Sequence, residues 1–180
     1  SYYGHVDLEK GTPHLEAAQV ILEQDAPDSA GLAYVYVALS TVCMHRREVG
    51  KGLDYAQRAL AIAERLNSRP VIANGLIFAG QQLALKGQWR QGFDYIERGW
   101  KIADEDNLPF VAFIGVSFRG VTSLMGRRDP QDAKRWLRRE LERPRMASAS
   151  LTRQMLLGMF VDAHIVAGEM AEARKLVDPG

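Results

Sequence analysis

Residues Gly52-Leu53-Asp54-Tyr55 are answered forty positions later by Gly92-Phe93-Asp94-Tyr95. The correspondence runs on through Arg58 with Arg98, Ala59 with Gly99, Leu60 with Trp100, Ile62 with Ile102, Ala63 with Ala103 and Glu64 with Asp104. Small, large apolar and charged side chains each fall on their own kind, which predicts a duplicated helix. Self-similarity at a fixed period of this size marks an array of like units, because one such unit cannot bury its own apolar face alone.

Each copy follows a second helical stretch. Residues 30–46 and 70–86 are apolar on nearly all faces, the pattern of a helix packed on two sides. Pro70 and Pro109 stand where a new helix would begin, a position that tolerates a missing N–H. Gly87 and Gly126 stand where the first helix of a pair would stop. The predicted unit is helix, tight turn, helix, with equivalent corners at Gly11, Arg47, Gly87, Gly126 and Gly168 and second helices over 13–24, 48–67, 88–107, 130–143 and 170–177. Arg127-Arg128-Asp129-Pro130 lengthens one turn, and Pro144 with residues 146–150 separates the last unit. The reading is a single array: 1–28 a partial first repeat, 29–68 and 69–108 full repeats, 109–146 a divergent one and 147–180 a partial last one. Gly4 precedes Gly11 as Gly80 precedes Gly87, so Tyr2 and Tyr3 are expected mid-way along a first helix. Arrays usually end in polar caps, and the expectation here is an excised or truncated part of a longer protein.

The run Gly87-Gln88-Trp89-Arg90-Gln91-Gly92 through Tyr95, Ile96, Gly99 and Trp100 resembles the second helix of the tetratricopeptide repeat (TPR), with Trp89, Gly92, Ile96 and Gly99 at its aromatic, small, apolar and small positions. Gly52 and Ala173 fill the small position in other copies, and Gly80 fits the close crossing of paired helices. The forty-residue period exceeds the common TPR length and is similar to that of TPR-like regions in bacterial signalling and transcriptional regulators. The resemblance implies an all-α, right-handed α-solenoid of stacked antiparallel helix pairs. It also implies a non-enzymatic scaffold that binds a protein or peptide in a concave groove lined by the first helices. Carried over through the turn residues, the groove candidates are Tyr34, Thr41 and His45; Asn74, Ile77 and Gln81; Phe113 and Val116; Met155 and Asp162. Apolar anchors would supply affinity and polar groups the register. Only Asn74 fits the family's Lys/Arg/Asn carboxylate clamp. The alternative is a self-association module that forms homodimers through terminal repeat surfaces.

Catalytic and ligating groups are sparse. His5, His14, His45 and His164 include no pair at i, i+4, and Cys43 and His45, two apart, point to different faces of a helix. There is no phosphate-binding Gly-x-x-x-x-Gly-Lys loop, no Gly-x-Ser-x-Gly elbow and no His-Glu-x-x-His. Asp104-Glu105-Asp106 lacks an EF-hand pattern around it. Neither catalysis, a metal nor a cofactor is expected. Residues 127–145 hold eight basic and four acidic side chains, but no aromatic alternates with the arginines for base stacking. With 23 Lys and Arg against 22 Asp and Glu overall, nucleic acid is a disfavoured partner. One cysteine excludes a disulfide framework and fits a reducing, cytoplasmic setting. The longest nearly unbroken apolar stretch, residues 32–39, is far short of a membrane span.

Overall fold

The computed structural model describes residues 8–143 and 150–178. Among them every regular element is helical: α1 (Leu8–Asp25), α2 (Ala30–His45), α3 (Val49–Arg65), α4 (Arg69–Leu85), α5 (Trp89–Glu105), α6 (Pro109–Val121) with a π-helical turn (Thr122–Arg127), α7 (Pro130–Leu141), α8 (Ser150–Val166) and α9 (Met170–Val177). The chain divides into two compact units at Val111 and Ala112.

The helices are cut by one recurring device. Arg47, Asn67, Gly87, Asn107, Arg128 and Gly168 have positive φ, between 49° and 88°. At Arg47 the amide donates to Met44 O and the next amide, of Glu48, to Cys43 O; the same pair of bonds recurs at Asn67, Gly87, Asn107 and Gly168. This closure satisfies carbonyls that a helix end would otherwise orphan. The first four stops sit at 47, 67, 87 and 107, so one helix and its turn take twenty residues. Glycine adopts this backbone freely and asparagine tolerates it, whereas an arginine there costs about 1–2 kcal/mol.

Two expected corners are corrected. Gly126 lies inside the π-helical turn, and the left-handed stop is Arg128. The Asp129 amide donates to Ser123 O, reaching six residues back where Glu48 reaches five to Cys43 O. The turn has thus absorbed one extra residue, as a π bulge does, and the stops resume their spacing from 128 to 168. Gly11 is not a corner either: α1 runs unbroken from Leu8 through Pro13 to Asp25, so it is one long helix rather than a short one over 13–24. Thr12, Leu15, Ala18, Gln19 and Leu22 follow one helical stripe and are turned from solvent. That stripe holds the helix through Gly11 and Pro13 despite their poor propensity. The expectation for Tyr2 and Tyr3 lies outside the described residues, as does most of the separator at 144–149.

In the first unit α1 packs on α2, α2 on α3, α3 on α4, α4 on α5, and α2 also touches α4. These are antiparallel hairpins stacked side by side. Ser29 caps α2 by accepting the Leu32 amide at 3.1 Å, and Pro70 sits in the first turn of α4. From Ala73 to Ala84 every residue of α4 is buried, which explains its all-round apolar pattern. Its hairpin with α5 closes on small residues: Gly80 meets Gly92, and Gly99 meets Ala73 and Ile77. Ile77 and Ile96 fill the seam and are fully buried, each stabilising the fold by about 1.5–3 kcal/mol.

In the second unit α7 packs on the π-helical turn and on α8, and α8 on α9. Asp129 caps α7 by accepting the Asp132 amide at 3.0 Å. Pro109–Arg127 is long and apolar enough to cross a membrane by length and composition, yet half of that stretch is buried within the protein and it carries the ion-paired Arg119.

Candidate partner-binding face

On α2, Tyr34, Thr41 and His45 fall at i, i+7 and i+11 and share a face. Tyr34 is 46 % exposed, Thr41 half-buried and His45 exposed. The two polar groups are anchored on their own helix: Thr41 Oγ1 donates to Val37 O at 3.0 Å, and His45 Nδ1 lies 2.9 Å from Thr41 O. The equivalent residues of α4 are placed differently. Ile77 is fully buried, Gln81 is buried, and Asn74, 8 % exposed, donates from Nδ2 to Pro70 O at 3.0 Å. The structure therefore brings Tyr34, Thr41 and His45 onto one accessible helix face and encloses Asn74, Ile77 and Gln81 within the first unit. In the second unit Val116 is buried, Phe113 and Met155 are half-buried and Asp162 is exposed.

Beside this face, α1, α2 and α3 are tied by a polar and aromatic cluster that the repeat pattern did not disclose. Tyr36 OH donates to Glu23 Oε1 at 2.6 Å, and Gln19 Nε2 donates to the same oxygen at 2.8 Å. The hydrogen bond from Tyr36 holds the Glu23 carboxyl below its ordinary range, while burial and that carboxylate push the Tyr36 phenol up. Tyr36 stacks on Tyr55 with centroids 5.8 Å apart, and Arg58 lies over the Tyr36 ring. Partners thirteen and more residues apart leave no local mark in a sequence. The Cys43 thiol is pushed up by burial and by Glu48, so it is held protonated and is a poor nucleophile.

The second unit holds one buried and one part-buried ionic group. Arg119 pairs with Asp132 through both terminal guanidinium nitrogens, and Ser123 Oγ donates to Asp132 Oδ2 at 2.6 Å. Glu169 receives Lys134 Nζ at 2.6 and 2.8 Å, lies 2.6 Å from His164 Nδ1 and accepts from Gln131 Nε2 at 3.3 Å. The Lys134 hydrogen bonds draw the Glu169 carboxyl down to about 2. These carboxylates are saturated by fixed partners and joined to helix packing, which suits a structural tie more than proton transfer. Among the described residues no group of three or more His, Cys, Asp or Glu side chains could hold a metal ion.

Stacked helical hairpins closed at a repeated left-handed stop, with small residues at the crossings, make this an all-α TPR-like helical repeat fold. Among solved structures the chain is similar to a point variant of nearly identical TPR-like repeats assigned to a kinesin light chain of Podospora anserina, with a TM-score of 0.64 and 13 % identity over 96 % of this chain and 84 % of that one. No protein-family model matches the chain, and no curated protein matches it. The likeness establishes the fold.

Proposed function

We propose that the chain is a non-enzymatic scaffold that binds a protein or peptide segment on its first-helix faces, beginning with Tyr34, Thr41 and His45 of α2. The observation that carries this reading is the exposed aromatic Tyr34 in line with two hydroxyl and imidazole groups on a helix otherwise committed to the core. An aromatic anchor with adaptable polar neighbours is the usual composition of an interface hot spot. Phe113, Met155 and Asp162 are the corresponding positions of the second unit, while the buried Val116 there and Asn74, Ile77 and Gln81 in the first act as packing support. The forty-residue period favours the interaction or sensory segment of a larger bacterial regulator, and the single reduced, buried Cys43 is consistent with the cytoplasm.

Panning a displayed random-peptide library tests the reading. Peptides selected on the wild-type chain are expected to bind the triple variant Tyr34→Ala, Thr41→Ala, His45→Ala at least tenfold more weakly, with an unchanged melting midpoint. Equal binding of those peptides by the variant would overturn it.

Self-association is the second reading, favoured by the adjacent exposed Val20 and Ile21 on α1. Light scattering across a concentration series is expected to show a dimer that Val20→Ser with Ile21→Ser abolishes. A strictly monomeric wild type refutes it.

A further inference from the structure

The corner between the π-helical turn and α7 and the corner between α8 and α9 together line an open cleft of about 570 Å³ within the second unit. Its walls are Leu124, Met125, Pro130, Val166 and Ala167, and its polar groups are Arg128 and Gln131. Met125 is 81 % and Val166 55 % exposed, so the apolar wall is open to solvent. Gln131 is engaged with Glu169, whose charge is already balanced by Lys134. Asp129, beside the cleft, has its Oδ1 directed to the Asp132 amide as the cap of α7. No hydrogen bond or ion pair among the described residues engages the Arg128 guanidinium. It is thus the one charged group lining a cleft whose surface is part polar and part apolar.

Gly87 and Gly168 occupy the corresponding stops in other hairpins, whereas positions 47, at φ 61°, and 128, at φ 54°, both carry arginine. Glycine would relieve that conformation at no loss of packing, since the side chain is exposed. Of the two arginines at left-handed stops, Arg128 is the one whose guanidinium lines the cleft.

We propose that this cleft binds a small apolar monocarboxylate, with the acid paired to Arg128 and the hydrocarbon laid along Met125, Pro130 and Val166. The occupant follows from complementarity: one planar cation matched to one carboxylate, beside the apolar side chains of Met125, Pro130 and Val166. The site lies at the hairpin corners and stands or falls apart from the α2 face.

Sodium decanoate is the probe, and the Met125 methyl resonance, assigned with Met125→Leu, is the readout on the full chain. Decanoate is expected to shift that resonance saturably, with a dissociation constant below about 1 mM. Arg128→Gly should weaken binding at least tenfold while the melting midpoint stays level or rises. Val166→Glu, which sets a competing carboxylate in the cleft at an exposed position, should weaken it as much. Decylamine should bind at least tenfold more weakly than decanoate. The proposal is overturned if decanoate leaves Met125 unmoved, if Arg128→Gly binds it equally, or if decylamine binds as well. A peptide with a free apolar C-terminus that outcompetes decanoate at Met125 would replace the small acid as occupant and likewise overturn it.

Discussion

A methyl group built on Gly80 would stand 2.5 Å from the backbone oxygen of Gly92, and one built on Gly92 would stand 2.6 Å from the oxygen of Gly80. The two helices of the α4/α5 hairpin therefore meet backbone to backbone, and neither carbonyl can swing aside as a side chain would. Gly80→Ala and Gly92→Ala are each expected to destabilise the first unit by about 2–3 kcal/mol, the upper range for overpacking. Gly11→Ala and Gly158→Ala are the controls: both lie in helices with open space around the added carbon. There alanine is expected to stabilise by about 0.5–1 kcal/mol. Urea unfolding of the four variants checks both signs.

The Gln82 amide of α4 crosses into the preceding hairpin, where Nε2 donates to Ser40 O at 2.9 Å and to Ser40 Oγ at 3.1 Å. It occupies the space over Gly52, where an added Cβ would lie 2.5 Å from Nε2. Its Oε1 is buried without a hydrogen bond. Gln82→Ala is expected to cost about 2–4 kcal/mol through the cavity and the lost bonds. Gln82→Met keeps the volume and removes the unpaired oxygen, so it should stay within about 1.5 kcal/mol of wild type. Chemical denaturation of both variants makes the comparison, and equal losses would show that hydrogen bonding outweighs packing at this joint.

Removing Asp132 would leave the Arg119 guanidinium charged and enclosed in the second unit. Asp132→Ala is expected to cost about 3–5 kcal/mol, the penalty for breaking a buried pair from one side. Replacing both at once, Arg119→Met with Asp132→Leu, should recover most of that loss. Thermal melts of the single and double variants decide it.

Glu169 sets an acid limit on the second unit. Its carboxyl is drawn from 4.5 to about 2 on folding, chiefly by Lys134. The unfolded chain then binds the proton more tightly than the folded one, so the stabilisation is complete above 4.5 and is lost as the pH falls toward 2. Glu169→Gln should lower the urea midpoint at neutral pH and flatten its fall between about pH 5 and 3. Far-UV circular dichroism follows the transition.

The helical hairpins were legible because turn chemistry and packing size are local signals. Gly87 and Gly168 stand at the stops they imply, and Gly80, Gly92 and Gly99 stand at crossings where a side chain would not fit. The two misplaced corners show the limit of that reading. Glycine at 11 and 126 is compatible with a stop but does not compel one, and the twenty-residue spacing of the stops at Arg47, Asn67, Gly87 and Asn107 is read from the backbone. An arginine at a left-handed stop gives no warning by type.

For the α2 face, residue spacing alone assigned Tyr34, Thr41 and His45 to one side of a helix, since the angle per residue is a property of the backbone. The same spacing assigned Asn74, Ile77 and Gln81 to a side of α4, but spacing cannot say whether a side is covered. Burial depends on which other helices lie against it, and in the first unit α2, α3 and α5 all pack on α4. The Glu23–Tyr36 and Lys134–Glu169 ties and the Arg128 cleft arose in the same way, from contacts between different helices. Local composition carries the helix and its stop; the company each face keeps is decided when the hairpins stack.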